Sequence, residues 1–236
     1  MHARSNGDTI ARGGFLMFLD RREAGRALGR KLASYAGRTD VTVLGLPRGG
    51  VPVAFEVALA LDAPLDVFVV RKLGVPGHEE LAMGAIASGG IRIVNPSLIE
   101  SLAISEEEVE SAVRREQAEL RRREASYRGG RPALELQGRI AILVDDGLAT
   151  GFSMHAAVAA ARKLGPARIV VAVPVAPPST AREMRRIADD VVVVATPEPF
   201  DAVGAFYQEF DQTADEEVRH LLGLSARIPV GEEQPT

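Results

Sequence analysis

Two hydrophobic patterns alternate along this chain. One consists of short, nearly unbroken apolar runs: "VTVLGL" (41–46), "PLDVFVV" (64–70), "RIAILVDD" (139–146), "ARIVVAVPV" (167–175) and "DDVVVVAT" (189–196). The other has apolar residues at helical spacing, as in "DRREAGRALGRKLASY" (20–35), where Ala24, Leu28, Leu32 and Tyr35 share a face. Further helices are predicted over "VPVAFEVALALD" (51–62), over "SMHAAVAAARKLG" (153–165) and from about Ser179. Strands that do not alternate apolar with polar positions are covered on both faces. Strands separated by helices pair in parallel. The pattern predicts an α/β fold: an open, mainly parallel, twisted sheet flanked by helices.

One stretch breaks the alternation. Residues 74–130 read as an insertion: a mobile segment and hairpin followed by a long helix. Gly74, Pro76 and Gly77 suit a hinge, and "LAMGAIASGGIRIVN" (81–95) should turn at Gly89-Gly90. Ser105 and Glu108 form the signature of a capping box, as do Asp20 and Glu23 earlier. The helix from Ser105 has only Val109, Val113 and Leu120 as a narrow apolar stripe, so its charges, including Arg121–Arg123, form a solvated face. Residues 1–14 are polar and glycine-rich and predict a flexible arm. Residues 15–224 form one domain, 225–236 predict a loose tail, and no fixed-period repeat occurs.

Composition removes several classes of function. The 236 residues carry a net charge of −4, which gives no global attraction for nucleic acid or an anionic membrane. With no cysteine there is no disulfide, thiol nucleophile or thiolate metal site. The histidines, at 2, 78, 155 and 220, lack metal-ligand spacing. No run approaches the roughly 18 apolar residues of a membrane span, and the N-terminus lacks a signal-peptide core. A cytoplasmic location is the default expectation.

The chemistry concentrates in "ILVDDGLATGFS" (142–153). A turn of small residues entering a helix aims several backbone N–H groups at one point, and the helix dipole adds positive charge there. Thr150 and Ser153 add hydroxyl donors. Asp145 and Asp146 would repel a phosphate if aimed at it, so they suit neutral hydroxyls or a metal nearby. A ribose 5-phosphate meets both demands. A receiver domain places its acidic residues differently, a dehalogenase-type nucleophile needs Asp-x-Asp, and no Gly-x-Gly-x-x-Gly joins a strand to a helix.

"ILVDDGLATG" resembles the phosphoribosyl-pyrophosphate-binding signature of the type I phosphoribosyltransferases, a likeness that extends over most of residues 18–220. It implies that Asp145 and Asp146 hold the ribose hydroxyls, while the turn Ala149, Thr150, Gly151, Phe152 and Ser153 takes the 5-phosphate, with Gly147 also among the substrate-binding residues. "LPRGGVPVA" (46–54) is similar to the family's pyrophosphate loop, which implies Arg48, Gly49 and Gly50 around the diphosphate. Arg71 and Lys72 then suggest a second diphosphate clamp. His78, Glu79 and Glu80 fall where type I enzymes carry a loop that closes over the anomeric centre, with Glu80 the candidate for a catalytic part. The aromatic cluster Phe206, Tyr207 and Phe210 follows the last strand, and Tyr207 is the candidate platform for a base in a C-terminal hood. Ala149 stands where enzymes specific for 6-oxopurines have Asp, which argues against that acceptor class.

The implied reaction transfers ribose 5-phosphate from phosphoribosyl pyrophosphate to a nucleobase or other nitrogen acceptor, with Mg²⁺ as cofactor. No direct metal ligand is expected; Asp145 and Asp146 would reach the ion through water. Two other readings stay open: a non-catalytic sensor of phosphoribosyl pyrophosphate or nucleotide, and a phosphoribosyl hydrolase. The expected partners are small molecules, with room for a homodimer and with neither nucleic acid nor membrane.

Overall fold

A computed structural model describes residues 17–225. The predicted arm at 1–14 lies outside the described residues, as does the predicted tail beyond Ser225.

Five parallel strands form the main sheet: β1 (Val41–Gly45), β2 (Leu65–Val67), β6 (Ile140–Val144), β7 (Arg168–Val175) and β8 (Asp190–Ala195), in the order β2-β1-β6-β7-β8. Helices α1 (Arg21–Lys31), α2 (Gly50–Leu61) and α7 (Asp215–Ser225) bury Leu28, Val53, Val57 and Leu221 in one core with Val43, Ile142 and Val170 of the sheet. On the opposite side, α5 (Phe152–Lys163) and α6 (Pro178–Met184) pack Met154, Ala157 and Met184 against Leu44, Leu143 and Val171. The strands are apolar at consecutive positions because consecutive side chains enter different cores. Burying each of the larger ones contributes about 1.5–3 kcal/mol.

The segment expected as an insertion, together with the four residues before it, makes a second sheet. Strands β3 (Val70–Val75), β4 (His78–Ala87) and β5 (Ile91–Val94) pair antiparallel in chain order, with Gly77 at the first turn and Gly89-Gly90 at the second. The short helix α3 (Pro96–Ser101) leads to the long α4 (Glu106–Arg128), which carries the complete Ser105–Glu108 capping box. Arg122 and Arg123 both pair with Glu119 and hold its carboxyl down to about 2, consistent with a self-neutralised, solvated face. The other predicted box is shifted by one residue: Asp20 accepts from the Glu23 N–H at 2.7 Å, but Glu23 accepts from Leu19 rather than from Asp20.

The apolar run 64–70 is divided between two sheets instead of forming one core strand. Its first part is the edge strand β2. Phe68 and Val69 then leave the main sheet, with the Phe68 N–H on the Gly45 carbonyl and the Val69 N–H on the Ser88 hydroxyl. Both halves are buried, so hydrophobicity alone does not mark the break. Arg71 and Lys72 consequently lie inside β3 and not at the carboxyl end of a main-sheet strand.

Candidate functional site

Adjacent parallel strands bring two distant segments together. Gly45 ends β1 and Val144 ends β6, and the two residues are partners in the ladder. The chain after each strand therefore leaves the sheet at the same level. The Leu46 N–H donates to the Val144 carbonyl at 2.9 Å, and Gly50 opens α2 with its N–H on the Leu46 carbonyl. The Pro47–Arg48 peptide in this loop is cis. Carboxyl ends of strands in open α/β sheets are where ligands bind.

The glycines of this loop are needed for its approach to the carboxylates. A Cβ on Gly49 would lie 2.1 Å from Oδ2 of Asp146. One on Gly50 would lie 2.6 Å from the Val144 carbonyl and 3.0 Å from Oδ1 of Asp145. Sequence reasoning assigned these glycines to a diphosphate; in the protein Gly49 lies closest to the Asp146 carboxylate and Gly50 closest to the Val144 carbonyl and Asp145.

Each aspartate is tied by one oxygen. Oδ1 of Asp145 accepts from the Asp146 N–H at 2.9 Å, and Oδ2 of Asp146 accepts from Nε of Arg21 at 2.8 Å. The other oxygens, Oδ2 of Asp145 and Oδ1 of Asp146, accept from no N–H or hydroxyl group among the described residues, although the two carboxyls lie close enough to share a proton. Burial raises the Asp145 carboxyl well above the usual carboxylate range, and the neighbouring Asp146 charge pushes the same way. Burial also raises Asp146, against the pull of the Arg21 guanidinium. Two carboxyls packed side by side in a poorly solvated place disfavour double ionisation unless something compensates.

Behind the pair runs the turn into α5. The Leu148 N–H is held by the Val175 carbonyl and the His155 N–H by the Gly151 carbonyl. Between them, the N–H groups of 149–153 have no acceptor in the backbone hydrogen-bond pattern of the described residues. Gly147 and Gly151 are buried, while Ala149, Thr150, Phe152 and Ser153 are exposed. Gly151 has φ +71°, and a Cβ there would meet Cγ2 of Thr180 at 2.8 Å. Thr180 in turn donates to the Ala149 carbonyl at 2.8 Å, bracing the turn from behind. Asp145, Gly147 and residues 148–154 together line a recess of about 180 Å³.

The cations foreseen in the sequence are distributed differently from the expected clamp. Arg48 leaves the loop toward Asp215, 3.6 Å away at the start of α7; Tyr127 also donates to Asp215, at 2.7 Å. That hydrogen bond, followed by the Arg48 charge, lowers the Asp215 carboxyl. Arg71 and Lys72 do not act as a pair, because successive strand residues face opposite sides. Arg71 faces α4, where Glu116 takes both its Nε and its Nη2, at 3.0 and 2.6 Å. Lys72 faces the other way and lines a cleft of about 720 Å³ with Glu80, Leu81, Phe152, Ser153 and His155. Lys72 lies 3.2 Å from the Glu80 carbonyl and 3.6 Å from its fully exposed carboxylate. Glu79 is 3.5 Å from Arg115 of α4, and His78 is exposed.

Tyr207 and Phe206 are each only 5% exposed, in a cluster with Phe18 and Val175. The Tyr207 hydroxyl donates to the Asp146 carbonyl at 2.5 Å, and burial beside Asp146 raises its pKa. Neither ring offers an open face, so the expected base platform is replaced by a support beneath the aspartates. Arg21 is the residue that sequence reasoning missed. It lies 125 positions from its partner in a charged helix start, "DRRE", and no local signal sets it apart from its neighbours.

Comparison with known proteins fits this geometry. The family model described as phosphoribosyl transferase domain matches residues 18–206. The chain belongs to the phosphoribosyl transferase family. Two Mycobacterium tuberculosis proteins, named "Putative phosphoribosyl transferase Rv0571c" (strain ATCC 25618 / H37Rv) and, with the same wording, MT0597 (strain CDC 1551 / Oshkosh), are each 48% identical to it over 211 residues. The match covers 89% of this chain and 47% of each relative, so the chain spans about half the length of the curated relatives it matches. Among solved structures, TT1426 from Thermus thermophilus superimposes with TM-score 0.78 at 44% identity, covering 87% of this chain and 97% of that one. A phosphoribosyl transferase domain accounts for the five-stranded parallel sheet, and its model spans both the loop at 46–50 and the turn at 145–153. Among the described residues, no helix is long and apolar enough to cross a membrane.

Proposed function

We propose that this phosphoribosyl transferase domain binds phosphoribosyl pyrophosphate and transfers its ribose 5-phosphate to a nitrogen acceptor, releasing pyrophosphate. The observation that carries the reading is the pair of open carboxylate oxygens set between the turn N–H groups that lack a backbone acceptor and the Arg48-Gly49-Gly50 loop. In this reading the 5-phosphate sits on the N–H groups of 149–153, where the α5 dipole favours an anion. The two open oxygens accept from the ribose hydroxyls, and hydrogen bonds to ionised acceptors are the stronger kind. The diphosphate lies at the N-terminus of α2, and Arg48 exchanges Asp215 for phosphate oxygens.

Bond breaking at C1 leaves negative charge on the departing diphosphate and positive charge on the ribose ring. Arg48 and the α2 N-terminus stabilise the first, and the fixed carboxylates the second. No side chain need act as a covalent nucleophile. Among the described residues, no group of three His, Cys, Asp or Glu could hold a metal. The donor set still fits Mg²⁺, which keeps several waters and binds through few carboxylates plus ligand phosphates. When bound, that ion would offset charge on the diphosphate. The open oxygens of Asp145 and Asp146 are the protein groups that would meet its waters.

The test is to combine the protein, Mg²⁺ and phosphoribosyl pyrophosphate with a panel of bases and amines and to measure pyrophosphate. Release that requires an acceptor supports transfer and identifies the acceptor. Release without one points to hydrolysis, and binding by calorimetry without release points to a sensor. Absence of binding would sink the proposal.

A further inference from the structure

Arg21 touches more of the site than any cation foreseen in the sequence. Its Nε donates to Oδ2 of Asp146 at 2.8 Å, and its Nη1 donates to the Asp211 carbonyl at 2.8 Å. Its guanidinium carbon lies 3.9 Å from the centre of the Phe210 ring. The Arg21 side chain is 13% exposed and that of Asp146 is 15%. A Cβ on Gly49 would meet Arg21 Nε at 3.2 Å, so the guanidinium sits against the loop as well. The segments that hold it come from both ends of the domain. The Phe18 N–H donates to the Phe206 carbonyl, and the Gln208 and Glu209 N–H groups donate to the carbonyls of Phe18 and Leu19. Tyr207 meanwhile fixes the backbone of Asp146 from below.

We infer that Arg21 is a positioning residue for the second carboxylate. Held by Asp211 and Phe210, it pins Oδ2 of Asp146 so that Oδ1 stays turned outward to receive a ribose hydroxyl. A planar guanidinium can do this because its donors diverge at fixed angles, so one group reaches a carboxylate and a carbonyl at once. A lysine supplies the charge without that fork. The inference deepens the proposed reading and rests on it for the identity of the hydroxyl-bearing ligand. The arrangement of Asp146 is a property of the protein itself.

The experiment compares Arg21→Met and Arg21→Lys with the wild type, using phosphoribosyl pyrophosphate and ribose 5-phosphate as probes in calorimetry. Both ligands carry the ribose hydroxyls and the 5-phosphate, but only the first carries the diphosphate. Arg21→Met is expected to weaken both about tenfold, and Arg21→Lys about threefold. In an Asp146→Asn background, Arg21→Met should add less than twofold, because interacting residues are not additive. Loss confined to phosphoribosyl pyrophosphate, fully additive losses, or a lowered Tm with unchanged affinities would each overturn the inference. A crystal structure of Arg21→Met tests it without ligand: a rotated Asp146 carboxylate is expected, and one that stays in place refutes the positioning role. If the wild type binds neither probe, the functional reading fails, and the crystal structure alone decides the role of Arg21.

Discussion

The carboxyl ends of β1 and β6 and the three-stranded insertion look alike in sequence, since each offers charged residues next to glycines after an apolar run. In the fold they are opposites. At Asp145 and Asp146 the charges are poorly solvated and like-signed, and each is left with an open oxygen. In the three-stranded segment the charges, whether exposed or, like Glu116, largely buried, are already matched by the opposite sign: Arg71 by Glu116, Lys72 by Glu80 and Glu79 by Arg115. A charge that has satisfied itself has little left for a ligand. A buried pair that the protein does not fully satisfy keeps its capacity to bind, at a cost in stability.

Targeted substitutions break or sharpen this contrast. The largest effect is expected for Tyr207→Ala, which empties a buried ring position under the aspartates and should cost about 3–5 kcal/mol of stability. Denaturant unfolding measures it; an unchanged midpoint with a raised acceptor KM would reinstate Tyr207 as a base platform. Next comes Gly49→Val, whose side chain would overlap the Asp146 carboxylate. It should reduce phosphoribosyl-pyrophosphate affinity about a hundredfold, and near-normal binding would separate the loop from the site.

Asp145→Asn with Asp146→Asn should weaken that ligand at least tenfold, at about 1 kcal/mol or more per lost charged hydrogen bond. The contribution of Asp145 also has a definite sign against pH. Its carboxyl is raised on folding, so the folded state binds more protons than the unfolded state above the usual carboxylate range. Its ionisation lowers stability as pH rises through that window, and Asp145→Asn removes the penalty. The single variant should therefore exceed the wild type in Tm at neutral pH, with the gap closing under acid. A gap that widened under acid would contradict the burial argument.

The smallest effect is expected for Arg71→Met. It leaves Glu116 with Arg115 alone, 3.2 Å away, and should lower Tm by a few degrees while changing phosphoribosyl-pyrophosphate affinity less than threefold. A loss comparable to that of Arg48→Met would return the insertion to the diphosphate site.

What the sequence determined by itself were the features encoded over a few residues. The unbroken runs at 41–46, 139–144 and 168–175 marked buried parallel strands. Ser105 with Glu108 marked the start of the long helix, and "DDGLATG" after an apolar strand marked a turn with N–H groups that lack backbone acceptors, next to two carboxylates. Periodicity, caps and small-residue turns are local, so they can be read locally. The division of 64–70 between two sheets, the opposite facing of Arg71 and Lys72, the burial of Tyr207 and the ion pair of Arg21 with Asp146 belong to the tertiary structure. Each depends on which surface packs against which across tens of residues, a choice made by the fit of the assembled core. Arg21 shows this most plainly. In the chain it is one more arginine on a charged helix, and only the packing of that helix on α2, β7 and β8 brings it to the carboxylate that follows β6.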